Sequence, residues 1–253
     1  IVLLAAHRNG WWMFNPTAPT VVRKWLVAVV WIEMAVILLI VTNVAATTLT
    51  REKESMTIEL LLTTPLSSKY IVAGMLRGLV SFVVPMIGVP TFTILLFAIS
   101  DLSQPAAMRV TTPEALLMTP PLMTAFIALA AMIGLNFSLT SKRTIQAVSV
   151  STVVVMFAAG LLWGCASAMA QGGVALAAIV WPFTPFPAVQ ALLDYESLDA
   201  SLTGSASAVE LQTARITRFM MSIISILAYA GVTRVVYSQM VRNFDMTVRR
   251  QSA

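Results

Sequence analysis

Long runs of apolar residues, separated by short polar segments, organise this chain. Five runs reach about twenty residues, the length that an α-helix needs to cross a bilayer. They cover about residues 25–48, 71–99, 121–140, 146–170 and 218–239. Strands that alternate polar and apolar residues, as in a membrane β-barrel, are absent from the sequence. The pattern therefore predicts an all-α integral membrane protein.

Composition strengthens this prediction. Of the 253 residues, 58% are hydrophobic and only 11% are charged, whereas a soluble domain carries about 25% charged residues. The apolar fragment Ile1 to Ala6 is too short to span a membrane, and we interpret it as the end of an earlier helix. The expected total is then six transmembrane helices, five visible and one represented by its tail end, within a single transmembrane domain over residues 1–253.

The apolar stretch 174–193 is not counted among the spans. It contains Pro182, Pro185 and Pro187, and proline removes a backbone donor and disfavours a continuous helix. A sixth visible crossing would also put the C-terminal tail on the other side from the other basic loops. We therefore predict an outer re-entrant or interfacial hairpin here, which is tolerable where protein covers the backbone.

Basic residues predict the orientation. The net charge of +5 fits basic residues retained at the cytoplasmic face better than it fits nucleic-acid binding. Ten basic residues fall on the side that carries residues 51–69 and six on the other, where the pair Arg23-Lys24 runs against the bias. The ten are Arg51, Lys53, Lys69, Arg77, Lys142, Arg143, Arg234, Arg242, Arg249 and Arg250, and the six are Arg8, Arg23, Lys24, Arg109, Arg215 and Arg218.

The segment between the first two spans has an amphipathic pattern. On a helix, Glu52, Ser55 and Glu59 share one side. The apolar positions Ile58, Leu61, Leu62 and Pro65 share another. Pro65 ends the helix, and Ser67 is suited to cap the next one. The pattern predicts a short helix at the membrane surface with an acidic side facing water.

Residues 52–67 resemble the loop between the second and third membrane helices of ABC-2 type transporter permeases. That family's pattern runs roughly Glu-Arg/Lys-Glu-x-Gly-Thr-Leu/Ile-Glu-x-Leu-Leu-x-Thr-Pro-Leu-Ser. The matching residues are Glu52, Lys53, Glu54, Thr57, Ile58, Glu59, Leu61, Leu62, Thr64, Pro65, Leu66 and Ser67. Two positions depart from it, because Met56 replaces the usual glycine and Met75 stands where a lysine often follows.

The resemblance implies an ABC-2 type bundle of six helices that pairs with a second permease subunit, as a homodimer or a heterodimer, in the cytoplasmic membrane of a bacterium or archaeon. It implies an exporter driven by a separate cytoplasmic ATPase that binds ATP and Mg²⁺. The coupling segment, residues 51–69, would contact that ATPase through Glu52, Glu54, Ser55, Thr57 and Glu59. Its anchor to the membrane domain would be Ile58, Leu61, Leu62 and Pro65.

The chain itself lacks the sequence features of an enzyme. No phosphate-binding loop of the form Gly-x-x-x-x-Gly-Lys-Ser/Thr occurs, and His7 is the one histidine, so neither ATP hydrolysis nor a His-based metal site is expected. We expect no cofactor on this chain and no nucleic-acid partner. The alternative to a transport subunit is a non-transporting membrane anchor or assembly subunit of a larger complex, surrounded by lipid in either case.

Three polar residues lie inside predicted spans and could line a translocation path: Glu33, Asn43 and Asn136. A carboxylate at such depth costs on the order of 2.5–3.5 kcal/mol on insertion scales. The alternatives are an outer-boundary carboxylate for Glu33 and interhelical hydrogen bonds for both asparagines. Gly160, Gly164 and Ala168 form a small-residue face suited to internal packing or dimerisation. Tryptophans near span ends, including Trp25, Trp31 and Trp181, are interpreted as interfacial anchors.

Overall fold

The computed structural model describes residues 18–55, 68–105, 109–141, 143–170, 174–193 and 208–252. Within these ranges the secondary structure is helical, with no strand. The long helices are α1 (Ala18–Glu54), α2 (Ser68–Asp101), α3 (Pro113–Thr140), α4 (Thr144–Ala170) and α7 (Ala208–Ser252). Between α4 and α7 lie α5 (Val174–Val180), a 3₁₀ turn (Trp181–Phe183) and α6 (Pro185–Leu193).

Within the described ranges, five helices are long and apolar enough to cross a membrane. Their segments are Thr20–Glu54, Tyr70–Asp101, Pro113–Thr140, Thr144–Met169 and Arg215–Arg242, and each coincides with one of the five predicted spans over nearly all of that span's length. For the described residues, the prediction of an all-α chain with five helices suited to cross a membrane is confirmed. The sixth helix stays a prediction, because residues 1–17 lie outside the described ranges.

α3 begins eight residues before the predicted span, at Pro113 rather than at residue 121. Proline suits the first helical position, where its missing N–H would have no partner anyway, and Thr112 Oγ1 accepts a hydrogen bond from the Ala115 amide at 3.2 Å. Pro120 and Pro121 lie inside the helix without ending it. Prolines are tolerated inside transmembrane helices because neighbouring groups satisfy the freed carbonyls.

The described residues divide into two compact units. The first unit comprises the described parts of 1–34, 87–123 and 159–226, and the second comprises those of 35–86, 124–158 and 227–253.

In the first unit, the proline-rich stretch folds as two short helices around an aromatic cluster. Trp31 contacts Trp163 and Phe186 edge-on, with ring centroids 6.2 and 5.7 Å away, and its Nε1 donates to the Phe186 carbonyl at 2.9 Å. Ser225 Oγ donates to the Pro182 carbonyl at 2.6 Å. Side chains of α1 and α7 thus bind backbone carbonyls of this stretch, and Arg218 of α7 adds a third such bond to the Ala191 carbonyl at 3.4 Å.

This arrangement corrects the interpretation of two tryptophans. Trp31 is half-buried and hydrogen-bonded inside the protein, and Trp181 is buried, so both pack against protein rather than anchoring the chain at the interface. Trp25 is 58% exposed, as an interfacial anchor requires.

Also in the first unit, Asp101 at the end of α2 fixes the 109–112 segment that leads into α3. Its Oδ2 accepts hydrogen bonds from the Val110 amide at 3.0 Å, the Thr111 amide at 2.7 Å and the Thr111 hydroxyl at 2.6 Å. Asp101 is only 4% exposed. Buried carboxylates of this kind are retained where backbone donors satisfy them.

Arg23 of α1 holds the same segment from its carbonyl side. Its Nε donates to the Val110 carbonyl and its terminal nitrogen to the Arg109 carbonyl, both at 3.0 Å. The side chain is buried. A structural task in the protein interior thus accounts for a basic residue that runs against the predicted charge bias.

In the second unit, α1 and α3 approach closely at Gly134. A methyl group added there would lie 2.8 Å from both the Thr42 carbonyl oxygen and the Ala45 Cβ. Thr42 and Ala45 are themselves buried. Small residues at such a crossing allow two backbones to approach within van der Waals distance.

Candidate functional site

The candidate coupling segment begins where α1 ends, and the structure describes its first residues. Lys53 and Glu54 occupy the last turn of α1, so the predicted amphipathic helix does not begin at Glu52. Glu52 instead belongs to α1, which extends past residue 48, the predicted end of the span. The prediction placed that end where the apolar run stops, whereas the helix itself continues to Glu54. Residues 56–67 lie outside the described ranges, and with them the predicted roles of Thr57, Ile58, Glu59, Leu61, Leu62 and Pro65.

Lys53 caps the C-terminal end of α3. Its Nζ donates to the Ser138, Leu139 and Ser141 carbonyls at 3.1, 2.5 and 3.3 Å. The last carbonyls of a helix have no partner within it, and the negative end of the helix dipole favours a cation there. Lys53 therefore satisfies the C-terminus of α3 both by hydrogen bonding and by charge.

Glu54 holds the start of α4. Its Oε1 accepts a hydrogen bond from the Thr144 amide at 2.8 Å, one of the first four N–H groups that a helix leaves without a partner. The helix N-terminus favours a negative charge. Glu54 remains exposed. The residue predicted to contact a partner protein thus also has a bond within its own chain.

Ser138 adds a third link between α1 and α3. Its Oγ accepts from the Leu49 and Thr50 amides at 3.0 and 3.1 Å, and it is fully buried. Ser138 lies in an apolar run of the sequence, and no feature of that run predicts a partner on α1. We call the contacts of Lys53, Glu54 and Ser138 with their partners the α1 brace.

Ser55 and Glu52 are the two other described residues of the predicted ATPase-contact surface, and both lie at the C-terminal end of α1. Ser55 is exposed; its amide donates to the Arg51 carbonyl at 3.0 Å and its Oγ to the Glu52 carbonyl at 3.2 Å. Glu52 is half-buried. The acidic side predicted for this segment is therefore more enclosed at Glu52 than at Ser55.

Glu33 faces α2 in the first unit. Thr93 Oγ1 donates to Glu33 Oε1 at 3.1 Å, while Glu33 Oε2 is buried and accepts no hydrogen bond from the described residues. A buried oxygen of this kind is costly unless another group satisfies it. The geometry leaves one acceptor of the carboxyl group available to a donor or cation outside the described chain.

The predicted asparagines lie in the second unit and are both exposed. The interhelical hydrogen bonds considered for Asn43 and Asn136 are not found among the described residues, where Asn136 only accepts a bond from Thr140 through its own carbonyl. In the described ranges, no three His, Cys, Asp or Glu side chains are grouped so that they could hold a metal ion.

Comparisons with protein families, with curated proteins and with solved structures give no match to this chain.

Proposed function

We propose that this chain is the membrane-spanning permease subunit of an ABC-2 type ATP-driven exporter. A separate cytoplasmic ATPase would contact it through residues 52–65 and supply the energy of ATP hydrolysis. The proposal is supported by the sequence pattern of residues 52–67, by five helices suited to cross a membrane, and above all by the α1 brace.

The α1 brace carries the proposal because a coupling segment must be attached firmly to the helices that it moves. Lys53 and Glu54 open the segment and bind the end of α3 and the start of α4. A solvated connector needs no such attachment. With it, a displacement of the segment acts on α1, α3 and α4 together.

The mechanical argument depends on stiffness. Charge-assisted hydrogen bonds are shorter and roughly twice as strong as neutral ones, and Lys53 makes three of them to carbonyls of one helix end. Ser138 fixes α1 to α3 one turn earlier. A push on residues 56–67 would therefore be transmitted to the helix ends before it could be absorbed by a flexible joint.

The transport path that we propose uses the polar groups of the spans. Asn43 and Asn136 are exposed on apolar helices, where contact with lipid hydrocarbon is unfavourable. A second permease subunit or a water-filled path would satisfy them. Glu33 has one buried oxygen for which the described chain supplies no donor, which suits a residue that meets a substrate group.

Charge reversal tests the proposed docking. We expect Glu52→Lys with Glu59→Lys to leave membrane insertion normal but to reduce the amount of ATPase that co-purifies and to uncouple hydrolysis from transport. One exposed ion pair is worth about 0–1 kcal/mol, so the loss of one contact alone should weaken docking by up to about fivefold, and a reversal adds repulsion to that loss. The double reversal should weaken it further, most strongly at low ionic strength.

Asp245→Lys is the matched control, because it reverses one acid of the C-terminal tail that the topology prediction places on the same side. It should leave ATPase binding unchanged. Intact ATPase binding and transport in the double variant would refute the proposal. Purification with partners that include no nucleotide-binding protein would instead support the anchor or assembly subunit.

A further inference from the structure

A cleft opens between the end of α2 and the start of α3 in the first unit. It has a volume of about 270 Å³, close to the lower end of pockets that hold small molecules, about 300 Å³. Its apolar wall consists of Leu95, Ala98, Ile99, Leu102 and Leu116. Arg109, Thr111 and Thr112 supply the polar part of the lining, together with the buried Asp101.

The apolar wall is open to the surroundings of the protein. Ile99 is 56% and Leu102 is 80% exposed, and both lie at the end of a helix suited to span a membrane. Exposing apolar side chains to water is unfavourable, whereas a lipid acyl chain would cover these residues without desolvating any polar group. The volume accommodates part of one chain rather than a whole lipid.

The polar part of the cleft is held rigidly. Asp101 and Arg23 bind the amides and carbonyls of the 109–112 segment from two sides. The backbone of Arg109 is therefore fixed beside the apolar wall. Its side chain is exposed, and its guanidinium makes no hydrogen bond or ion pair with any described residue.

The charges near this segment favour an anion at its mouth. Asp101 contributes one negative charge, but its Oδ2 already accepts three hydrogen bonds inside the protein. Arg23 and Arg109 contribute two positive charges, and that of Arg109 is the exposed one. A phosphate group matches the guanidinium in charge and in its paired acceptor oxygens.

We propose that this cleft binds an anionic phospholipid, with its phosphate on Arg109 and the upper part of one acyl chain against Leu95, Ile99 and Leu102. The combination of an exposed guanidinium on a fixed backbone with an adjoining open apolar wall recognises both halves of such a molecule. The inference requires only that the chain spans a membrane, and it is independent of the proposed coupling to an ATPase.

Native mass spectrometry of the detergent-solubilised full chain, with any co-purifying subunits, tests the site. Titration with phosphatidylglycerol and with phosphatidylcholine of the same acyl chains should show tighter retention of phosphatidylglycerol. Arg109→Gln should weaken the first bound phosphatidylglycerol about tenfold, the change that corresponds to about 1.4 kcal/mol. Arg109→Lys should retain most of the affinity, and Ala98→Leu should reduce retention by filling the cleft.

Lys24→Gln is the matched control, because it removes one exposed positive charge that does not line the cleft. Its affinity for phosphatidylglycerol should equal that of the unmodified chain. The proposal would be overturned if Arg109→Gln bound phosphatidylglycerol as tightly as the unmodified chain does. It would also be overturned if Lys24→Gln lost as much affinity as Arg109→Gln. So would binding of soluble glycerol phosphate as tight as that of the lipid, because the apolar wall would then contribute nothing.

Discussion

Lys53 and Glu54 are neighbours of opposite charge, and each lies against the helix end that its charge stabilises. Lys53 binds the C-terminus of α3, and Glu54 binds the N-terminus of α4. Each such charge contributes about 0.3–1 kcal/mol at an exposed helix end. Reversing the order of the two residues would put both charges at the wrong ends.

The sequence could identify this pair but not its partners. Lys53 and Glu54 belong to the charged pattern that suggested a coupling segment. Their partners, the Leu139 carbonyl that accepts from Lys53 and the Thr144 amide that donates to Glu54, are backbone groups more than 85 residues away. Almost all residue types carry the same backbone amide and carbonyl groups, so a backbone partner can be identified only from the three-dimensional structure.

Glu33 is the residue for which the sequence left two interpretations open. We expect Glu33→Gln to preserve assembly, because the amide oxygen can still accept the Thr93 hydrogen bond. Transport, or the stimulation of ATPase activity by substrate, should change because the charge is lost. Both are measured on the reconstituted complex.

Thr93→Val is the control for this change, since it removes the hydrogen bond to Glu33 and keeps the carboxyl group. It should affect transport less than Glu33→Gln does. A normal transport rate in Glu33→Gln at normal expression would mean that Glu33 is a boundary carboxylate without a role in the path.

At the scale of the elements, hydrophobic patterning predicted which helices form but not which of their faces meet. The Gly160–Gly164 pattern was open to internal packing or to dimerisation, and within this chain both glycines are exposed and an added methyl group would meet no atom within 4 Å. The close contact is instead at Gly134. Its partners Thr42 and Ala45 lie on another helix, so spacing along one helix could not reveal it.

Gly134→Ala should destabilise the protein, because the new methyl group would meet the Thr42 carbonyl oxygen and Ala45 at 2.8 Å. Overpacking of a tight contact typically costs about 1–3 kcal/mol. We expect a lower midpoint of thermal unfolding in detergent and a lower yield of folded protein.

Gly231→Ala provides the comparison, because Gly231 is exposed in a helix of the same unit and an added methyl group meets nothing within 4 Å. Alanine is favoured over glycine in a helix by up to about 1 kcal/mol. The midpoint should therefore stay the same or rise. Equal midpoints for the two variants would contradict the close approach of α1 and α3.

At the scale of the whole molecule, three of the six basic residues on the predicted outer side have structural roles within the protein. Arg23 and Arg218 are buried and donate to backbone carbonyls, and Arg215 pairs with Glu114 at 2.5 Å. Basic residues with structural tasks can stand against the charge bias. The sequence showed the conflict at Arg23-Lys24 but could not supply its reason.

Cysteine accessibility tests the orientation, after Cys165→Ala removes an exposed native thiol. Arg143→Cys and Ser252→Cys should label from the same side of the membrane, and Ser103→Cys from the other. Arg143 is a better probe of the α3–α4 turn than Ser141, because Arg143 is exposed and Ser141 is buried. Labelling of positions 143 and 252 from opposite sides would refute both the five crossings and the re-entrant hairpin.

The α1 brace also sets an order on the making of the protein. Glu54 leaves the ribosome 90 residues before Thr144, and a ribosome that adds about 5–20 residues per second needs roughly 5–20 s for that length. Throughout this interval the end of α1 is in the membrane without the backbone groups that will hold it. The joint between α1, α3 and α4 can therefore close only after the first turn of α4 has been synthesised, and a chain interrupted before that point lacks the joint altogether.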